Sequence, residues 1–178
     1  MRKNSLFIGL VLLVLLGCNG SKKSKFYSYI ERNCTFEKSD TSYIDLKDFF
    51  QVNYDTMYVF GEYTQLKGVR LILGIQDYES SNALMSKGFL VEDSYNKIIL
   101  LKDHKVLFDE DMKMPYLYSD GIEVKKEGVF DGEPYTHHAK IFTTSKFMII
   151  REENENGDYY IYRNVLSDGS LMPFETIE

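Results

Sequence analysis

The first hydrophobic run of the chain lies near its start and is not interrupted by any polar residue. Residues 6–17 carry no charge, and Arg2 and Lys3 before them are basic. A membrane-spanning helix needs roughly 20 apolar residues, whereas runs of about 10–14 are typical of the central part of a signal peptide. A helix buried in a globular core would keep a polar face, which this run lacks. The pattern therefore predicts an export signal.

The run ends in Leu15-Leu16-Gly17-Cys18. This segment resembles the lipobox of bacterial lipoproteins, which has a small residue just before the cysteine. The resemblance implies that residues 1–17 are removed as a signal peptide and that Cys18 carries a diacylglyceryl thioether. It also implies that the new amino terminus is often acylated, with palmitate among the expected acyl groups. Two or more acyl chains anchor a protein stably. We therefore expect a membrane-anchored lipoprotein of the cell envelope, facing the periplasm or the cell exterior.

The spacing of hydrophobic residues in the mature chain first predicts helices. In residues 64–74 apolar side chains recur at helical spacing, Thr64 can cap the first turn, and Gly74 can take the left-handed position that ends a helix. Gly68 and the β-rich letters that follow it leave a strand open as the alternative. The segment KFYSYIERN is a second candidate helix, and SSNALMSKG is a candidate helical turn.

Two hairpins are indicated further along the chain. Residues 96–111 contain two apolar runs separated by Asp103-His104, a polar pair at the position of a two-residue turn. Residues 146–165 place Asn156-Gly157, the preferred pair of a type I′ turn, between an apolar run and an aromatic run. Further strands are predicted at residues 55–63 and 135–145.

Some apolar runs, such as residues 98–101 and 147–150, show no alternation, which indicates strands that are covered on both faces. The predicted fold class is α+β: a mainly antiparallel β-sheet built from hairpins, with one or two helices packed on one face. An all-β barrel is the alternative. A polar, basic tether at residues 18–25 is expected to lead into a single globular domain at residues 26–178.

Composition and charge narrow the range of partners. The chain contains 14 Tyr and 12 Phe, which favours strands, and its net charge is −6. Removal of Arg2 and Lys3 with the signal peptide makes the mature chain more acidic. Nucleic acid is excluded as a partner on this basis, because proteins that bind it carry a clustered basic face. If Cys18 is acylated, Cys34 has no cysteine to pair with and is expected to be a buried apolar residue.

The spacing of the candidate metal ligands does not match that of a metal site. His137 and His138 are neighbours on a predicted strand, so their side chains point to opposite faces and one ion cannot easily use both; His104 is the third histidine. The acidic segments at residues 152–158 and 109–113 lack the register of a calcium loop and are predicted to be solvated loops. The sequence indicates no metal site and no cofactor.

Motifs for catalysis are also missing from the sequence. The chain has no G-x-S-x-G elbow and no phosphate-binding glycine loop, and Cys34 has no histidine near it in sequence. No catalytic residue is assigned, and a lipid-anchored extracytoplasmic hydrolase with an unrecognised site stays as the alternative function. Residues 53–64 resemble a stretch of small, uncharacterised extracytoplasmic bacterial proteins, although Asn53 stands where that group has an aspartate. This resemblance implies no activity.

Tyrosine is the remaining candidate for function, because it offers rigid contact area at small entropic cost and is enriched in protein interfaces. We therefore expect a non-catalytic binding or accessory module that contacts another protein or an envelope component, held to membrane lipid through acylated Cys18. The candidate binding residues are Tyr116, Tyr118, Tyr159, Tyr160 and Tyr162.

Overall fold

The structure is a computed structural model that describes residues 24–36, 40–80, 91, 95–112, 121–130, 132–154, 157–171 and 174–177. Within these ranges there are three helices, α1 (Lys25–Asn33), α2 (Leu46–Phe50) and α3 (Leu66–Leu73). The strands are β1 (Thr41–Asp45), β2 (Thr56–Phe60), β3 (Asn96–Lys102), β4 (Lys105–Met112), β5 (Gly121–Phe130), β6 (Glu133–Phe142), β7 (Lys146–Asn154), β8 (Gly157–Asn164) and β9 (Phe174–Ile177). The predicted turn SSNALMSKG lies, apart from Ser80, outside the described residues.

Helix α1 forms where a capping serine precedes two apolar residues at helical spacing. The Ser24 hydroxyl accepts a hydrogen bond of 3.2 Å from the backbone N–H of Tyr27, which satisfies one of the free N–H groups of the first turn. Phe26 and Ile30, four residues apart, are both buried in the core. Lys25, which was expected to belong to the tether, is the first residue of this helix.

Residues 66–73 form a helix rather than the alternative strand. Gly74 ends it with φ of 70°, the left-handed conformation that the sequence predicted for this glycine. The prediction for Thr64 was wrong, because Gln65 is the N-cap residue and the Thr64 hydroxyl donates instead to the carbonyl of Gly61. Val69 of α3 is fully buried.

The strands form two sheets. One has six strands in the order β4-β3-β2-β6-β5-β9, and the other has three in the order β1-β7-β8. The β5–β9 pair is parallel and the other strand pairs are antiparallel. Among the residues that the structure covers, neither sheet closes on itself, so the α+β prediction is confirmed and the closed all-β alternative is wrong.

Both predicted hairpins form, and one turn is where the sequence placed it. Lys102 pairs with Lys105, and the intervening Asp103 and His104 have φ of 49° and 61°, which are the two positive values of a type I′ turn. In the β7–β8 hairpin the prediction that Gly157 is a turn residue was wrong, because Gly157 is a strand residue that pairs with Asn154. Asn156, the other residue of the predicted turn, lies outside the described residues.

The core has two parts because the six-stranded sheet is covered on both faces. Ile98 and Leu100 face α1, α2 and the three-stranded sheet, whereas Ile99 and Leu101 face α3. This confirms the two-sided burial predicted for residues 98–101, but it divides the helices between two faces where the sequence analysis expected one. The run at 147–150 differs from its prediction, because Phe147 and Ile149 are buried while Met148 and Ile150 are partly exposed.

Candidate functional site

The tyrosines predicted to bind a partner fall in two places. Tyr116 and Tyr118 lie outside the described residues. Tyr159, Tyr160 and Tyr162 belong to β8, where they pair with three residues of β7, namely Glu152, Arg151 and Ile149. Ile149 is fully buried and Glu152 is exposed. Tyr162 therefore lies opposite a core residue of β7, and Tyr159 lies opposite a solvent-exposed one.

A different tyrosine is exposed on the edge strand β1 of the three-stranded sheet. Tyr43 of β1 is 67% exposed and pairs with Met148 of β7. The next pair along these strands is Ile44 with Phe147, and both of these residues are buried. Because side chains alternate along a strand, Tyr43, Met148 and Ile150 share the outward face of this sheet. We call these three residues the outer patch. The sequence analysis missed Tyr43, although the alternation in TSYID could have indicated it.

The α3 side of the six-stranded sheet contains a buried histidine. His137 of β6 is 1% exposed, and neither of its ring nitrogens has a hydrogen-bond partner among the described residues. A Cβ atom added to Gly68 of α3 would lie 2.2 Å from Nδ1, and one added to Gly128 of β5 would lie 2.8 Å from Nε2. The imidazole therefore fits between two glycine backbones. We call this arrangement the glycine slot: Gly68, Gly128 and His137.

The surroundings of the slot favour the neutral imidazole. Burial is the main cause that lowers the pKa of His137, and the positive charge of Lys67 and the neighbouring His138 lower it further. The Lys67 ammonium donates to the carbonyl of Val129, at the end of β5. The Tyr135 ring lies edge-on to the imidazole at 5.0 Å between centroids.

The adjacent histidine points away, as the sequence predicted for neighbours on a strand. His138 is on the opposite face of β6, where its Nδ1 lies 3.3 Å from a carboxylate oxygen of Glu123. His104 occupies the β3–β4 turn. Within the ranges that the structure covers, no group of three or more His, Cys, Asp or Glu side chains is arranged to hold a metal ion.

A second polar cluster on the α3 side was not foreseen. Lys97 of β3 is fully buried, and its ammonium lies 2.8 Å from an Asp109 oxygen and 2.7 Å from an Asp111 oxygen of β4. The Tyr78 hydroxyl donates to the other oxygen of Asp109 at 2.8 Å. Burial, followed by this hydrogen bond, raises the pKa of Tyr78. We call these four residues the lysine cluster.

The lysine cluster corrects the prediction for residues 109–113. Residues 109–112 are strand residues, and the residue after them lies outside the described ranges. Asp109 and Asp111 are two residues apart on β4, so both face the same side of the sheet as Lys97 and neutralise its buried charge. The acidic segment at 152–158 begins on β7, where Glu152 is exposed, and continues into residues outside the description.

Cys34 is buried at the end of α1, as expected for an unreactive apolar cysteine. Burial raises the pKa of its thiol, and a hydrogen bond with Ser42 opposes this only in part. A raised pKa keeps the thiol protonated, and the thiolate is the nucleophilic form. The geometry therefore assigns Cys34 to the core.

Comparison of the chain with protein-family models, curated proteins and solved structures finds no match. No helix within the described residues combines the length and the apolar character that a membrane crossing requires.

Proposed function

We propose that this protein is a lipid-anchored binding module of the cell envelope, which recognises another protein or an envelope component and catalyses no reaction. The observation that carries the binding role is the outer patch, where Tyr43 is 67% exposed beside the partly buried Met148 and Ile150. An exposed aromatic residue on a rigid sheet face supplies contact area without a large loss of side-chain entropy on binding.

The chemistry of the described polar side chains favours binding over catalysis. In the lysine cluster, the ammonium of Lys97 and the hydroxyl of Tyr78 are both directed at carboxylates of β4. In the glycine slot, the backbones of Gly68 and Gly128 lie against both ring nitrogens of His137. A catalytic acid or base must come within hydrogen-bond reach of its substrate, so neither cluster supports the hydrolase alternative.

The membrane anchor is proposed from the lipobox. Ser24, which caps α1, lies only six residues after Cys18. A fully extended segment of that length spans about 20 Å. If Cys18 is acylated, the α1 end of the domain stays within this distance of the lipid headgroups, and the partner must be reached from there.

Expression in a bacterial host tests the anchor. We expect intact-mass analysis to show lipid on Cys18 after loss of residues 1–17, and fractionation to place the protein in the membrane. Cys18→Ser should abolish both results, whereas Cys34→Ser, the matched control, should leave them unchanged. Membrane retention of the Cys18→Ser protein at wild-type level would contradict a lipid anchor.

Site-specific photocrosslinking tests the binding role. A photoreactive phenylalanine analogue at Tyr43 in the anchored protein should give one stoichiometric adduct with a partner. The same analogue at Leu107, an exposed residue of β4, should not give that adduct. Tyr43→Ser should also weaken recovery of the partner without lowering the melting temperature, since exposed side chains contribute little to stability. Equal crosslinking at both positions, or none at Tyr43, would rule out the outer patch as the binding surface.

A further inference from the structure

We infer that α3 is a pH-sensitive cover, held on the six-stranded sheet by a neutral His137 and loosened when that histidine gains a proton. This inference rests on the glycine slot and the charges around it. It goes beyond the proposed function and does not depend on the identity of any partner.

The first step concerns space. His137 is 1% exposed, and Gly68 and Gly128 lie so close to its ring nitrogens that a single Cβ on either glycine would clash. Neither nitrogen has a hydrogen-bond partner among the described residues. An imidazolium has two N–H donors that both need acceptors. In the slot, the backbones of Gly68 and Gly128 lie against these nitrogens without accepting a hydrogen bond. The charged ring therefore fits only if α3 moves away.

The second step concerns charge. On α3 the nearest charged group is Lys67, and Arg70 is held by the carbonyl of Tyr78. On β5 the residue paired with His137 is Lys126, whereas Glu127 pairs with Thr136, the residue before His137, and so lies on the opposite face. The charged neighbours on the His137 side are thus cationic.

The remaining neighbours bring no negative charge to His137. On β6, Tyr135 presents a neutral ring, and His138 points to the other face towards Glu123. Strand β2, which pairs with β6 on its other side, contains no charged residue. A proton on His137 would therefore add a third positive charge beside Lys67 and Lys126. The carboxylates of Asp109 and Asp111, which face the same side of the sheet, belong to β4 and bind Lys97.

The third step gives the direction of the pH effect. The pKa of His137 in the closed state lies below its ordinary value of about 6.5, while a solvated histidine in the open state keeps that value. The open state therefore binds protons first as the pH falls. The closed state is fully favoured above about pH 6.5, loses stability as the pH drops below that value, and stops losing it once the closed-state pKa is passed.

Opening would uncover a specific surface. The part of the core beneath α3 contains Phe60, Ile99, Leu101 and Ala139 of the six-stranded sheet. Helix α1 lies on the other face of this sheet and makes no contact with the slot, so it serves as an internal reference.

Hydrogen exchange tests the inference on the domain in solution, with rates corrected for the intrinsic effect of pH. Between pH 7.5 and pH 5.5 the protection of the α3 amides should fall by up to about tenfold, which is the limit for one proton taken up by a group with a pKa of 6.5. The protection of the α1 amides should fall much less. Equal protection of α3 at both pH values would overturn the inference.

Three variants separate His137 from other titrating groups. His137→Gln should make the protection of α3 independent of pH over this range, whatever its absolute level. His138→Gln, the matched neighbour, should respond as the wild type does. Lys67→Met should reduce the response, because loss of that cation raises the pKa of His137 in the closed state towards 6.5. An unchanged pH response in His137→Gln would overturn the assignment to this residue.

Discussion

At the scale of single residues, the close contact between Gly68 and His137 affects the stability of the protein more than the low helix propensity of glycine does. Alanine is favoured over glycine inside a helix by about 1 kcal/mol. In the folded protein, however, the added Cβ would lie 2.2 Å from Nδ1 of His137, which cannot shift because Gly128 lies on its other side. We expect Gly68→Ala to lower the free energy of unfolding by about 1–3 kcal/mol, the usual cost of overpacking. Urea denaturation measures this change.

Two controls separate the clash from other effects of alanine. Gly61→Ala should be close to neutral, because nothing lies within 4 Å of the added Cβ atom. In a His137→Ala background, Gly68→Ala should become stabilising, since the clash has gone and only the helix propensity of alanine remains. If Gly68→Ala stabilises the wild-type protein as well, the close packing of the slot is refuted.

Lys97 gives a second expectation at this scale. Lys97→Met would leave the carboxylates of Asp109 and Asp111 without their buried cation, and breaking such a pair typically costs about 3–5 kcal/mol. Replacing both aspartates by asparagine in the same protein should recover most of that loss, because the repulsion disappears. Thermal melting of the single and triple variants checks the comparison. A triple variant no more stable than Lys97→Met would mean that packing, rather than charge, is what Lys97 provides.

At the scale of elements, the β3–β4 turn stores strain that one substitution can release. His104 has φ of 61°, a conformation that costs a non-glycine residue of order 1 kcal/mol or more. We expect His104→Gly to raise the free energy of unfolding by about 1 kcal/mol. Lys105→Gly, one position later in the strand, should lower it by about 0.5–1 kcal/mol. Chemical denaturation of both variants measures these changes, and a loss of stability in His104→Gly would contradict the strained-turn explanation.

Local signals in the sequence predicted the helices and turns, but they did not predict the glycine slot or the lysine cluster. Gly74 and the helical spacing before it identified α3, and Asp103-His104 identified the β3–β4 turn. Each of these signals depends on residues that are close in sequence. Gly157 was wrongly assigned to a turn because strand pairing with Asn154, rather than the Asn-Gly preference, sets its position. The glycine slot was not predictable, since Gly68 lies far along the chain from the paired strands that carry Gly128 and His137, and no spacing in the sequence links them.

At the scale of the whole molecule, α1 is part of the main core. Phe26 and Ile30 are buried in the main core, and loss of one large core side chain costs about 2–5 kcal/mol. A chain that starts at Ser24 should be a soluble monomer with a cooperative melting transition. A chain that starts at Cys34 should be unfolded or aggregated at 25 °C, as circular dichroism and size-exclusion chromatography can show. A cooperative transition in the shorter chain would contradict this expectation.

The pairing of early strands with late ones also has a consequence for the order of events in the cell. Strand β1 pairs with β7. Just before β1, an ion pair joins Asp40 to Arg151 of β7, which is 111 residues away in the chain. Strand β2, in the middle of the large sheet, pairs with β6, whose residues also lie far along the chain. Contacts this far apart slow folding, because a long loop must close before they form. If the protein is exported as proposed, its nascent chain would therefore have more time to reach a secretion channel before the core forms.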